Sequence, residues 1–104
     1  MKTCFFISLI GAPDSSERIQ SNKLLKFIIE PVLKTRGYDI PVRADQITQP
    51  GMITSQVFTK LWNDDLVIAD LTGKNPNVFY ELAVRHIVRK PCIHMIRKGE
   101  TFAF

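Results

Sequence analysis

The segment 65–90, DLVIADLTGKNPNVFYELAVRHIVRK, constrains the fold most, because it has the pattern of a buried strand, a turn and a helix. The run 66–69 is apolar and rich in β-branched side chains, which is typical of a strand covered on both faces of a parallel sheet. The run stops at Asp70, and turn-forming residues follow. Asn75 suits the cap of a helix and Pro76 its first position, so we expect a helix to begin at Pro76.

Within this predicted helix, Asn77, Glu81 and Arg85 recur every four residues and so share one face. A second face is apolar and comprises Phe79, Leu82, Ala83 and Ile87. In an open α/β sheet, ligands bind beyond the carboxyl ends of the strands, where Asp70 and Glu81 are expected. A functional site is therefore one interpretation. The other is structural: Glu81 pairs with Arg85 at i,i+4, and Asp70 organises the turn.

Strand and helix patterns alternate along the rest of the chain. Strands are predicted over 2–10, 38–44, 66–69 and 91–97, and helices over 15–36, 52–63 and from Pro76 onwards. With right-handed crossovers, this order predicts an α/β fold of the flavodoxin-like class, a parallel sheet of order 2-1-3-4 with helices on both faces. Pro31 is expected to kink or restart the first helix, and Pro41 suits an edge strand.

A fifth strand is missing from this pattern, so strand four is expected to be an exposed edge. At 104 residues the chain is expected to form a single domain, residues 1–104. We expect either a domain cut from a longer protein at the carboxyl end or a subunit completed by a partner, most simply as a homo-oligomer.

Composition narrows the classes of partner. No apolar run approaches the ~20 residues that span a bilayer, so no membrane partner is expected. The net charge of +4 is modest and the basic residues are dispersed, which argues against a nucleic-acid polymer but would help attract a phosphate-bearing ligand.

The cysteines and histidines give no metal signature. Cys4 and Cys92 fall inside predicted strands and are expected to be small buried residues in a reducing, cytoplasmic compartment. No CxxC or Cys/His ligand spacing is present, and His94 is expected to be satisfied in the core, so no metal is predicted.

Two other loops are predicted at the carboxyl edge of the sheet. The loop Gly11-Ala12-Pro13 follows the first strand, and its small residues leave room for a ligand. Asp45 closes the second strand and adds a third carboxylate at the same edge. Neither GxGxxG nor the Walker pattern is present, so a dinucleotide or nucleoside triphosphate site of those kinds is not supported.

Three segments carry a family resemblance that covers nearly the whole chain: FFISLIGAPDSSER, RADQITQPGMITSQV and IADLTGKNPNVFYELAVRH. They resemble the nucleoside 2-deoxyribosyltransferase-like group, which is structurally akin to TIR domains. The most specific part is NPNVFYELA. In the transferases, a glutamate in an equivalent helix attacks the anomeric carbon of a nucleoside, and in TIR-type NAD hydrolases a helix glutamate serves cleavage of the nicotinamide-ribose bond. The resemblance therefore implies a TIR-like fold and cleavage of an N-glycosidic bond without a cofactor.

Carried over to this chain, the resemblance makes Glu81 the nucleophile, or the carboxylate that stabilises an oxocarbenium ion. Asp70 is our candidate for protonating the leaving group. The residues expected to contact substrate are Ser8, Ile10, Gly11, Pro13, Asp45, Asn75, Asn77 and Tyr80. The substrate would be a nucleoside, a nucleotide or NAD.

The chain also departs from the transferase pattern, with Ala83 where glycine is usual and with Asn75 and Asn77 in place of acidic residues. Hydrolysis is therefore an alternative to transfer. Two further alternatives are a module that senses a nucleotide-like ligand without turnover, and a protein-interaction domain that uses the edge strand with Phe102 and Phe104.

Overall fold

Four parallel β-strands form the sheet in the computed structural model, which describes residues 1–47 and 54–100. The strands are β1 (Cys4–Ile7), β2 (Val42–Arg43), β3 (Leu66–Asp70) and β4 (Cys92–Met95). Their order is β2-β1-β3-β4, and every pairing is parallel. The predicted α/β class, strand order and parallel sense are confirmed.

The two central strands are apolar on both faces, and this organises the core. On one face, Phe5 and Ile7 of β1 lie beside Val67 and Ala69 of β3. On the other face, Phe6 of β1 and its neighbours in β3 form a second cluster. Burial on both sides explains why these strands read as continuous apolar runs rather than as alternating ones.

Helices cover both faces, as predicted. The first helical segment runs as α1 (Ser16–Leu24), a π-helical turn (Leu25–Ile29) and α2 (Glu30–Thr35), and it packs on the Phe6 face. The helices α3 (Ser55–Asn63) and α4 (Pro76–Val88) pack on the Phe5 face. No helix in the described ranges is long and apolar enough to cross a membrane.

The strands are shorter than predicted, since β1 covers only Cys4–Ile7 and β4 only Cys92–Met95. The segment 38–44 contains only the two-residue strand β2 and an isolated bridge between Lys2 and Tyr38. Pro31 has no N–H to donate, and the α-helical pattern is interrupted by the π-helical turn before it and restarts at Glu30, as expected. The start of the predicted helix at 52 lies outside the described residues, as do Phe102 and Phe104.

Arg85 fixes the carboxyl end of α4 to its neighbours. The side chain is fully buried, and its guanidinium donates to the carbonyl oxygen of Leu61 at 2.9 Å and to that of Pro91 at 3.0 and 3.3 Å. The Arg85 side chain therefore links α4 to α3 and to Pro91, the residue that precedes β4. The predicted pairing of Arg85 with Glu81 is wrong, because backbone carbonyls take the guanidinium donors.

Candidate active site

A crevice opens where the chain leaves β1 and β3 in opposite directions. The segment after β1 crosses one face of the sheet as α1, and the segment after β3 crosses the other face as α4. Ligands bind at such a switch point in open α/β sheets. A cavity of about 260 Å³ lies here, and its lining includes Glu17, Gln20, Asp70, Thr72, Arg97 and Glu100.

The loop after β1 is held in a fixed shape by its glycine and by an arginine. Gly11 has φ +70, and a Cβ there would stand 2.6 Å from Ser15 Oγ, so this position requires glycine. Arg18 Nη2 donates to the Gly11 carbonyl oxygen at 3.2 Å. Ser15 caps α1 by accepting from the Arg18 backbone N–H.

Asp45 forms a charge network beneath this loop. Arg43 is only 5% exposed, and it grips the Asp45 carboxylate through Nε at 2.6 Å and Nη2 at 3.0 Å. Arg18 Nη1 reaches the same carboxylate at 3.3 Å. Two guanidinium groups thus bind the Asp45 carboxylate. Through Arg43 and Arg18, this side chain connects β2 to the loop after β1.

Ser8 belongs to the same network. Its hydroxyl lies 2.8 Å from the hydroxyl of Ser21 on α1, which also accepts from Arg43 Nη1 at 2.9 Å. Ser21 and Arg43 were not predicted as site residues. A signal for part of this lining was present in the sequence, since the i, i+3, i+4 spacing of Glu17, Gln20 and Ser21 places them on one face of a helix.

Asp70 both shapes the turn after β3 and faces the cavity. Its Oδ1 accepts from the Thr72 backbone N–H at 3.1 Å, as the structural interpretation predicted. Gly73 then approaches the first loop so closely that a Cβ there would stand 2.8 Å from Leu9 Cδ2. Gly73 N–H donates to Glu100 Oε1 at 3.1 Å. The segment after β4 therefore closes a third side of the cavity.

Glu81 is a buried carboxyl group on α4. It lies on the second turn of α4 between the buried residues Val78 and Leu82, and it is 7% exposed. Within ranges 1–47 and 54–100, no residue donates a hydrogen bond to it or pairs with its charge. Burial raises the pKa of the Glu81 carboxyl from its ordinary 4.5 to about 7. At neutral pH both the carboxylate and the protonated acid of Glu81 are therefore populated.

Asp70 and Glu81 lie on different sides of the sheet. Alternation along β3 puts Asp70 on the face that carries α1, with Leu66 and Ile68. The helix that carries Glu81 covers the opposite face. The switch-point cavity is lined by Asp70 but not by Glu81. The two carboxyl groups therefore approach the carboxyl edge of the sheet from opposite sides.

The remaining predicted contact residues have varied surroundings. Asn75 caps α4, with its Oδ1 accepting from the Asn77 backbone N–H at 2.9 Å. Ile10 is buried, Pro13 is exposed, and Tyr80 is 67% exposed on the outer side of α4. Asn77 lies in the first turn of α4, one turn before Glu81.

Comparison with known proteins identifies a solved structure with a similar fold. No protein-family model matches the sequence, and no curated protein matches it. Among solved structures, the chain is similar in fold to the CMP N-glycosidase BcmB of Clostridium botulinum, with a TM-score of 0.63. The match covers 98% of this chain and 75% of that chain, at 16% sequence identity. At this identity the likeness is one of fold.

Proposed function

We propose that this protein hydrolyses the N-glycosidic bond of a nucleoside, a nucleotide or NAD, with Glu81 acting at the anomeric carbon. The observation that carries the proposal is a buried glutamate on the helix that follows a central strand, with its pKa raised to about 7 and with no charge partner among the described residues. The fold likeness to a CMP N-glycosidase supports the same class of reaction.

The chemistry follows from the surroundings of this carboxylate. An ionised carboxylate in an apolar environment is costly, and a nearby positive charge lowers that cost. When the bond from C1′ to the base nitrogen breaks, its electron pair leaves with the base and positive charge builds on the sugar. Glu81 then stabilises the transition state more than the neutral substrate, which is the requirement for catalysis.

The reaction is completed by water. The carboxylate bonds to C1′ or holds it as an oxocarbenium ion, water adds to C1′ and loses a proton, and the departing base gains a proton. Asp70 remains our candidate for a group that assists the base or contacts a sugar hydroxyl. The products are a free base and a sugar with an anomeric hydroxyl, and the carboxylate is regenerated.

The switch-point cavity would hold the part of the substrate that does not react. Its volume of about 260 Å³ lies just below the range of about 300 to 1,000 Å³ for whole-ligand pockets, so it suits a sugar phosphate better than a complete nucleotide. Arg97 supplies a cation there, and Gln20 and Thr72 supply neutral polar groups. In this arrangement the substrate lies across the carboxyl end of β3, between the cavity and α4.

A second candidate function is recognition of a nucleotide-like ligand without turnover. It is favoured by a specific observation: the cavity has both charged and neutral polar lining, yet Glu81 does not line it. A ligand that occupies only this cavity would contact Asp70 and Arg97 and would leave the glutamate untouched.

The test is base release from CMP, other nucleotides, nucleosides and NAD, followed by chromatography. We expect release from at least one substrate and a loss on the order of 100-fold or more in Glu81→Gln. Glu30→Gln, which alters a carboxyl on α2, is the matched control and should retain activity. Equal rates in the wild type and Glu81→Gln would reject the proposed role. Thermal stabilisation by a nucleotide without base release would favour the second candidate.

A further inference from the structure

The two histidines of the chain and one of its two cysteines meet at the edge of the sheet. Cys92 and His94 alternate with Ile93 along β4, so they share one face of the strand. His86 lies in the last turn of α4, which packs over the same face. Arg89 ends the helix in the left-handed backbone conformation, with φ +61, so only a short loop is needed to reach β4.

The distances within this cluster are those of a metal-binding site. The Nε2 atoms of His86 and His94 are 3.2 Å apart, and one ligand atom from each of the three residues lies within 4.8 Å of the others. Tetrahedral zinc, with its bonds of about 2.0 Å to nitrogen and 2.3 Å to sulfur, separates two nitrogens by about 3.3 Å and a nitrogen from a sulfur by about 3.5 Å. The nitrogens are already at this spacing, and only the thiol needs to approach by a rotation of its side chain.

We propose that His86, Cys92 and His94 bind a divalent transition-metal ion, of which Zn²⁺ suits the ligands best. Imidazole and thiolate are the ligands that zinc prefers, and three protein ligands leave a fourth position for water or an added group. Both histidines are exposed, so an ion reaches them from solvent. On binding, the Cys92 thiol gives its proton to the solvent and the sulfur becomes a thiolate ligand.

This site is independent of the proposed glycosidase chemistry. His86 follows Glu81 by five residues in α4, and none of the three ligand residues lines the switch-point cavity. A bound ion would link α4 to the edge strand β4, and so would hold the edge in place. The exposed position of His94 corrects the prediction of a core histidine. The seven residues between the two histidines explain why spacing rules did not reveal the cluster.

The experiment uses the full chain without a histidine tag. Zn²⁺ titration is followed by calorimetry, and Co²⁺ titration by absorption, where a thiolate-to-cobalt charge-transfer band reports sulfur ligation and strong visible bands report tetrahedral geometry. We expect one ion per chain. The variants His86→Gln, His94→Gln and Cys92→Ser should each weaken binding by at least roughly 10-fold, since even residues beyond the ligands cost this much.

The second cysteine provides the matched control. Cys4 is buried in β1, away from the cluster, and Cys4→Ala should retain both the affinity and the charge-transfer band. Circular dichroism checks that every variant folds. Three results would each overturn the proposal: affinity in the wild type no higher than in the His86→Gln/His94→Gln double variant, cobalt binding without the thiolate band, or one ion shared by two chains. In each case the cluster would not be a metal site of the single chain.

Discussion

Replacing Glu81 by glutamine should make the protein more stable at alkaline pH and leave it almost unchanged at acid pH. The pKa of this carboxyl is about 7 in the folded chain and 4.5 as its ordinary value. The folded state therefore binds the proton more tightly, and stability is lost as the pH rises from 4.5 through 7. At about 1.4 kcal/mol for each pH unit, the loss above pH 7 reaches about 3 kcal/mol.

Glutamine resembles the protonated acid in size and stays neutral at every pH, so it avoids this cost. The gain of Glu81→Gln over the wild type should be below about 1 kcal/mol at pH 5 and about 3 kcal/mol at pH 8. Since small domains are stable by about 5 to 15 kcal/mol in total, such a gain is readily measured.

Urea unfolding monitored by circular dichroism at pH 5, 6, 7 and 8 gives the free energy of unfolding for each variant. Glu30→Gln on α2 is the control, and its difference from the wild type should not widen with pH. The difference in the free energy of unfolding between Glu81→Gln and the wild type should widen with pH. If it were constant across this range, the Glu81 carboxyl would be solvated, and the reasoning from its burial would be refuted.

Two further substitutions test the polar contacts that hold the site. Arg85→Lys keeps the charge but cannot reproduce the hydrogen bonds to Leu61 and Pro91, so we expect a loss of about 2 kcal/mol in urea unfolding. A loss below about 0.5 kcal/mol would show that the buried guanidinium is not an anchor. Asp45→Asn leaves Arg43 buried without its carboxylate, and should cost about 2 to 3 kcal/mol. Stability equal to that of the wild type would show that the network contributes nothing.

Much of the fold was predictable because its strands and helix starts are specified by neighbouring residues in the sequence. The β-branched and aromatic runs of β1 and β3 are buried on both faces, and their apolar composition predicts central parallel strands. The cap Asn75 and Pro76 fixed the start of α4 correctly. From these elements, the handedness of crossovers leads to the observed strand order.

The burial of the α4 residues was not predictable from periodicity. Glu81 and Arg85 were expected on a polar face, yet both are buried, whereas Ala83 and Ile87 of the expected apolar face are exposed. The partners of Arg85 are backbone carbonyls, one of them 24 residues away, and a backbone carbonyl has no sequence signature. Sequence therefore located the helix and its carboxylate but not the environment that raises the carboxyl pKa.

The sequence predicted which carboxylate lies at the end of the second strand, but not the side chains that bind it. Asp45 was expected to contact substrate as a third carboxylate at the carboxyl edge of the sheet, but Arg43 and Arg18 hold it. Arg43 is two residues away on the same segment, whereas Arg18 comes from α1, and only the folded sheet brings them together. Sequence can count charges near a strand end, but it cannot tell which of them already have partners.

The pH dependence of base release tests most directly the claim that the Glu81 carboxylate acts at the anomeric carbon. On the best substrate of the panel, kcat/KM should rise with pH, reach half of its maximum near pH 7 and level off above that, because this ratio reports the ionisation of the free enzyme. The same assay on Glu81→Gln should show release reduced on the order of 100-fold across the whole range. Release that is unchanged in Glu81→Gln, with or without a transition near pH 7, would contradict the account.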